Sequence, residues 1–491
     1  MSSLQDKTVG GMFWSFLQKV GGKGISFVIT ILLARLLTPK DFGLIGLLMV
    51  FIQVSQVMIE GGFNLALIQK KETDEEDYSS VFYINLIVSI LFYIILFFAA
   101  PYVAAFYHQP VLINLTRAFS IVFIINAFSY VQEARLTKEV RFKTLMIIHI
   151  PSTIIGGTVS IIMALNGFGV WSIIFLQLIT RLAYTIQIWI YAQWVPLLSI
   201  NLSKAKVLFS FGGKLLISNI INTIYNNIFL VVIGKFYSIS DVGYYQNASN
   251  LAYTPSGTLT NVLSSVSFPI FSSIQDDDKK LKAGYKKVMQ QAFFWICPLY
   301  VIAAVLANPL FMVFFTQKWL PAVPYFQLLC VGAILQPLYV YNLNILNVKG
   351  RSDMFLKLET SRRITTIIAL ILVFPFGIWG LLIVQAAAEL FTYLLFAYFS
   401  GKFIQYTLKE QIVDLFPIFL LSICTGGVVF IFSYFWSSLT VFVQIILGFS
   451  IAYILYGFSA KIFKIEAYEQ FEEIFKKRII NRFSIKVNNI E

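Results

Sequence analysis

Residues 33–43 read LARLLTPKDFG and residues 233–243 read IGKFYSISDVG. At an offset of 200 with no gap, Arg35 matches Lys235, Asp41 matches Asp241 and Gly43 matches Gly243. Upstream, Gly10-Gly11 has a looser counterpart in Gly212-Gly213. Each segment is a short polar turn between two long apolar runs. Self-similarity at a fixed spacing points to a chain built twice from one unit. Six apolar runs separate the copies, so both units enter an apolar layer in the same orientation. That predicts two six-helix lobes related by a pseudo-two-fold axis along the membrane normal. In transporters built this way the substrate site lies between the repeats.

Composition agrees with a membrane location. Of 491 residues, 58% are apolar, 16% aromatic and only 12% charged, with mean hydropathy +0.78. Soluble domains carry about 25% charged residues, so a water-soluble globule is excluded. Disordered chains are poor in apolar residues, so disorder is excluded too. About 20 apolar residues cross the ~30 Å hydrocarbon layer as a helix. By that ruler the fold is an all-α polytopic membrane protein of about fourteen transmembrane helices. The first lies at 10–37, the fourth at 112–133, the seventh at 207–234, the eighth at 243–272 and the last at 439–462. The expected division is an N-lobe of helices 1–6 over 1–203 and a C-lobe of helices 7–12 over 204–402. Extra helices 13 and 14 follow over 403–463, with a tail over 464–491. In that tail Ile465, Tyr468, Phe471, Ile474 and Phe475 share a helical stripe opposite Glu466, Glu469 and Glu472. This reads as an amphipathic helix on the cytoplasmic surface.

The net charge of +13 separates by depth. Alternating loops and both termini carry twenty-eight of the 37 Lys and Arg residues, whereas the opposite loops carry only Lys40, Lys235 and Lys318. By the positive-inside rule both termini are cytoplasmic. The amino terminus lacks the short apolar core and cleavage site of a signal peptide and reads as an uncleaved first span. Cys297, Cys330 and Cys424 sit in apolar runs without metal or redox spacing and read as packing residues. The run Glu72–Asp77, ETDEED, reads as a solvated acidic loop. No metal or cofactor site is expected, and nothing in the pattern suggests nucleic acid.

Six cations remain inside the spans: Lys19, Lys23, Arg35, Arg117, Arg181 and Lys214. A cation at a helix centre costs roughly 2.5–3.5 kcal/mol on insertion scales, so such groups face a cavity or a partner unless they reach the interface. Lys23 and Arg181 are the deepest. Inside spans the sequence offers only Glu60 and Glu389 as acids, which leaves most of this charge to an anion from outside. Arg and Lys suit phosphate. The expected pocket for an anionic ligand is therefore Lys19, Lys23, Arg35, Arg181 and Lys214. Helices 7 and 8 add a polar wall, with Asn219, Asn222, Asn226 and Asn250 expected to meet sugar hydroxyls. Such runs face lipid only at high cost, so they line a wet cavity or bind neighbouring helices.

The segment GGMFWSFLQKVGGKGISFVITILLARLLTPKDFGLIGL at residues 10–47, its echo at Ser240-Asp241-Val242-Gly243-Tyr244-Tyr245 and the twelve-plus-two helix pattern resemble the Wzx-type polysaccharide flippases. These belong to the MOP superfamily, with the MurJ and MATE transporters. The resemblance implies two six-helix bundles rocking about a cavity lined by helices 1, 2, 7 and 8. It also implies a substrate, an undecaprenyl-diphosphate-linked oligosaccharide, moved from the cytoplasmic to the periplasmic leaflet of a bacterial inner membrane for lipopolysaccharide or exopolysaccharide assembly. Implied partners are the lipid-linked anionic glycan, membrane lipids, and a polymerase or other assembly proteins. The expected function is transport rather than catalysis. Coupling to the membrane potential or to a proton or sodium gradient stays open, with Glu60 and His149 as the titratable candidates in the first lobe. Two alternatives remain: a MATE-like small-molecule exporter, and an integral-membrane glycan polymerase or ligase. The exporter of cations would want intramembrane carboxylates, and the enzyme would want sizeable outer loops.

Overall fold

The computed structural model describes residues 2–60, 63–70, 72–199, 201, 213, 216–436 and 438–473. For residues 2–13, 15–17, 19, 20 and 63–65 it describes the backbone. These residues are helical nearly throughout. The first helices are α1 (Ser2–Leu36), α2 (Pro39–Glu60), α3 (Phe63–Gln69), α4 (Glu75–Tyr107), α5 (Leu112–Phe119), α6 (Ile121–Lys138), α7 (Phe142–Leu165) and α8 (Trp171–Ala192). Then come α9 (Leu216–Asn226) and α10 (Ile228–Phe236), bent 45° at Asn227. The rest are α11 (Ile239–Ser273), α12 (Asp278–Val305), α13 (Ala307–Phe314), α14 (Val323–Val348), α15 (Ser352–Val373), α16 (Gly377–Phe403), α17 (Leu408–Phe435) and α18 (Val441–Ile462). A short helix, α19, covers 466–473.

Among the described residues, ten helical stretches are long and apolar enough to cross a membrane, or eleven with the bent pair α9–α10 taken as one. This is a multi-pass membrane protein. The expected fourteen is not reached by that measure, for identifiable reasons. Helices α15 and α16 run together as one stretch of 52 residues. The 35 residues of α11 include fourteen hydroxyl side chains and three asparagines, too polar to pass on composition.

The chain packs as two compact units, Met1–Gln246 and Asn247–Glu491. The first unit extends to Gln246 because α10 packs on α2 and α4 and the two repeated turns dock on each other. In each turn a hydroxyl residue caps the helix that follows. Thr38 donates its N–H and Oγ1–H to Asp41 Oδ2 at 2.9 and 2.6 Å. Ser238 does the same to Asp241 Oδ2 at 3.1 and 2.7 Å. The reciprocal Asp241 N–H to Ser238 Oγ bond, 3.1 Å, completes a capping box. The docking is pseudo-symmetric. A Cβ on Gly43 would lie 1.9 Å from the Ile239 carbonyl oxygen, and one on Gly243 would lie 2.0 Å from the Pro39 carbonyl oxygen. Under the offset of 200 these contacts exchange into each other, so a local two-fold axis passes between the turns.

In the first unit α7 lies between α1 and α8, and α6 between α4 and α8. Small residues allow the close approach. A Cβ on Gly157 would meet Ile29 of α1 at 2.3 Å. The acidic run 72–77 leaves Glu72, Asp74 and Glu75 exposed, as its charge suggests, and buries only its last carboxylate. Asp74 caps α4 in a capping box with Asp77, and the Asp77 carboxylate is fully buried against Lys70 Nζ. The next turn holds the segment after α8: Trp194 Nε1–H donates to Glu75, Leu197 N–H to Ser79 Oγ and Asn201 N–H to Ser80 Oγ. The short acidic stretch thus caps one helix and anchors a distant segment.

In the second unit, α12 packs on α14 and α17, and α16 on α14 and α15. Within α11, Pro255 lacks an N–H and disrupts the helical ladder. The Tyr300 hydroxyl is inserted one residue later, donating to Ala252 O and accepting Ser256 N–H at 3.0 Å. Tyr300→Phe therefore leaves both backbone groups buried without that partner. It should cost about 2 kcal/mol, read as a lower melting temperature of the purified protein. The described part of the tail, α19, packs on the protein. Trp295 and Phe471 stack edge to face at 5.2 Å, and Lys286 bridges Asp414 and Glu466 at 3.0 and 3.1 Å. Residues 474–491 lie outside the described residues. Cys297 and Cys330 are buried, as packing residues would be, whereas Cys424 is exposed.

Candidate functional site

The first unit encloses a cavity of about 210 Å³ between α1, α7 and α8. Its polar wall comprises Ser26 and Thr30 from α1, His149, Ser152 and Thr153 from α7, and Gln177, Thr180, Arg181 and Tyr184 from α8. Their placement follows from local spacing. Gln177, Thr180, Arg181 and Tyr184 recur at helical intervals of three and four and so share one face of α8. His149, Ser152 and Thr153 do the same on α7. Gln187 Nε2–H donates to Ser152 Oγ at 2.8 Å, fixing the register of α7 against α8. His149 meets the Tyr184 ring edge to face at 6.2 Å. On α1, Gly22 leaves room for that imidazole, since a Cβ there would stand 3.1 Å from His149 Cε1.

Arg181 carries the charge of this cavity. Two carboxyls lie within Coulombic reach of it, Glu60 at the end of α2 and Glu133 on α6. Glu60 accepts from Gln56 Nε2–H at 3.2 Å. Glu133 is the residue that sequence reasoning missed. With the fourth helix ended at 133 it counts as a boundary residue, yet α6 continues to Lys138 and carries Glu133 inside. The signal lay in Tyr130 and Glu133, polar residues three apart on one face. The interior thus holds one more acid, Glu133, than Glu60 and Glu389.

The other expected residues separate. Lys23 is exposed on α1, one turn before Ser26. Arg35 is exposed at the end of that helix. The Lys19 side chain and Lys214 lie outside the described residues. Arg117 is a structural cation: its Nε–H donates to Phe97 O at 3.2 Å, and its guanidinium sits 4.2 Å from the Phe97 ring centroid. Asn219 and Asn226 are exposed and Asn222 is half-buried. Their neighbour Asn227 donates to Gln53 Oε1 at 2.9 Å, so this part of the wall also serves as interhelical hydrogen bonding. Asn250 is exposed on α11, in the second unit.

The second unit holds its own ionic group. Arg362 and Arg363, expected in a cytoplasmic loop, lie within α15 and pair with the buried Glu359 at 3.0 and 3.3 Å. Glu389 on α16 lies within Coulombic range of Arg362 and Glu359. These two arginines therefore belong with the interior charges and not with the topology-setting ones. Among the described residues, no group of three or more His, Cys, Asp or Glu side chains is placed to hold a metal ion.

This architecture has known counterparts. The family described as "Polysaccharide biosynthesis protein" matches residues 32–324. The chain belongs to the polysaccharide biosynthesis protein family. The match begins just before the first repeated turn and includes the second. Among curated relatives, the chain is 25% identical over 356 residues to the teichuronic acid biosynthesis protein TuaB of Bacillus subtilis, covering 72% of this chain and 74% of that one. It is 24% identical over 372 residues to the lipopolysaccharide biosynthesis protein WzxC of Escherichia coli, covering 75% and 76%. Among solved structures, the lipid II flippase MurJ in an inward closed conformation superposes with a TM-score of 0.71 at 15% identity, covering 91% of this chain and 99% of that one. An inward-facing MATE multidrug transporter of the MOP superfamily gives 0.58 at 16% identity, covering 78% and 95%. The family member described here thus has the fold that MurJ and MATE share.

Proposed function

We propose that this protein is a flippase. It moves an undecaprenyl-diphosphate-linked oligosaccharide from the cytoplasmic to the periplasmic leaflet of a bacterial inner membrane by alternating access. The observation that carries this reading is Arg181, a guanidinium in a polar cavity within an otherwise apolar helical unit. A fixed cation in a low-dielectric wall favours an anionic group, and the guanidinium fork matches phosphate oxygens. Membership of the polysaccharide biosynthesis protein family supports a glycan cargo, and the MurJ-like fold supports a lipid-linked one.

Both termini are cytoplasmic in this reading, supported by the one-sided distribution of loop cations. Two six-helix lobes, 1–203 and 204–402, rock against each other, with 403–463 as an appended pair. Arg181 meets the diphosphate in this reading, with Lys19, Lys23, Arg35 and Lys214 as further candidate cations and Asn219, Asn222, Asn226 and Asn250 as candidate contacts for the sugars. No cofactor is required. A negative-inside potential favours outward movement of the anion by ~2.3 kcal/mol per charge per 100 mV. Glu60 and His149 are the first unit's candidates for coupling to a proton or sodium gradient.

The test is chemical. In cells lacking the protein, lipid-linked oligosaccharide should accumulate unpolymerised at the cytoplasmic leaflet, and wild-type protein should restore export. Normal export without the protein would overturn the reading. Efflux of cationic dyes, unaffected by lipid-linked glycans, would replace it with the small-molecule exporter.

A further inference from the structure

We propose that residues 195–198, which follow α8, lie in the surface layer of the bilayer and contact lipid at the leaflet where α8 ends. The proposal needs only that the chain spans a membrane, and it stands apart from the flippase activity.

Three observations carry it. First, the segment is held by its backbone while its apolar side chains turn outward. α8 closes at Gln193 in the left-handed region, with φ 50°, and Trp194 then turns inward. It is buried against Tyr78 and Phe82, with ring centroids 6.3 and 6.0 Å away. Leu197 N–H donates to Ser79 Oγ and Asn201 N–H to Ser80 Oγ, both at 2.8 Å. Pro196 has no N–H to satisfy. With the backbone held in this way, Leu198 is 97% exposed and Val195 73%, and Leu197 is exposed as well. Apolar side chains displayed together mark a contact with a membrane or another protein.

Second, this surface continues the lipid-facing side of a membrane-spanning helix, which selects lipid as the occupant. Leu182, Ile186 and Ile190 of α8 are all exposed and recur every four residues, so they share one face. No charged residue interrupts the chain from Leu182 to Ser203. Trp189 and Tyr191 close the helix, residue types that favour the membrane interface. Third, the segment turns back toward the apolar layer. Trp194 bonds Glu75 in the first turn of α4, whereas Leu197 and Asn201 bond Ser79 and Ser80 one turn further along. A helical turn is about 5.4 Å. The chain thus runs from the level of the acidic residues toward the apolar part of α4, which begins at Val81. Held by α4 on one side and lipid on the other, it leaves α8 for α9 along the bilayer surface.

The experiment uses the full chain in lipid nanodiscs, with a nitroxide spin label attached in the variant Leu198→Cys or Val195→Cys. The background is Cys424→Ser, since Cys297 and Cys330 are buried. Line broadening by oxygen, which partitions into lipid, is compared with broadening by a water-soluble nickel chelate. Labels at positions 195 and 198 should respond more to oxygen than to nickel. A label in Glu72→Cys, at an exposed position of the acidic run, should show the reverse order. Nickel exceeding oxygen at 195 and 198, as at 72, overturns the proposal. Protection from both reagents overturns it as well, because a second copy of the chain then covers the segment in place of lipid. Should Leu198→Cys fail to fold, Val195→Cys alone decides between these outcomes.

Discussion

Alanine at Gly43 or at Gly243 should each abolish export and lower stability by about 3 kcal/mol, a large effect for a single methyl group. The added Cβ would stand 1.9 or 2.0 Å from a backbone carbonyl oxygen of the opposite turn, far inside van der Waals contact. A carbonyl within a helical turn cannot rotate away as a flexible side chain can, so the two turns must separate. Because each glycine contacts the other copy of the repeat, the two changes should not be additive: once one turn has moved, the second methyl meets less. Melting temperatures of the single and double variants in nanodiscs read this directly, and full additivity would show that the turns do not share one contact. Alanine at Gly24, which has no neighbour within 4 Å of its would-be Cβ, is the control and should leave both stability and export unchanged.

Arg181→Gln should reduce export at least 100-fold with the protein still folded. Glutamine keeps much of the volume and donors of the side chain but removes the charge and the fork. Glu60 and Glu133 then remain near the cavity without the Arg181 charge, so the site draws the anion less strongly. Lysine at the same position should recover part of the activity, since it restores the charge without the bidentate geometry. Export by Arg181→Gln at more than a tenth of the wild-type rate would remove this residue from the account.

Turn chemistry and apolar length made most of the fold legible in the sequence. Thr38–Asp41 and Ser238–Asp241 have the spacing of a capping box, and the structure builds one form of cap at both sites. What escaped was the interior placement of charge. Glu133 lies in the run VQEARLTKEV, whose polar residues look like an interface, so the helix was expected to end there. Arg362 and Arg363 were assigned to a loop by the same logic, although Glu359 stands three and four residues before them and pairs with both. In each case the helix continues through polar residues that find partners on neighbouring helices, and hydropathy cannot see a partner distant in sequence. The acidic run 72–77 is exposed at Glu72, Asp74 and Glu75, as its charges suggested; only the burial of Asp77 on Lys70 escaped. Of the expected basic pocket, depth along the helix singled out Arg181, which lines the first unit's cavity. The same ruler gave Lys23 equal standing, whereas the direction it faces on α1 leaves it exposed one turn from the cavity.

The most direct test of the central claim is reconstitution of the purified protein into liposomes holding a fluorescent polyprenyl-diphosphate-linked oligosaccharide in one leaflet. Access of a membrane-impermeant quencher to the label then reports leaflet exchange over time. The account predicts exchange that depends on wild-type protein, is accelerated by a potential that favours outward movement of the anion, and is lost in Arg181→Gln. Exchange no faster than in protein-free liposomes, or equal rates for wild type and Arg181→Gln, would contradict it.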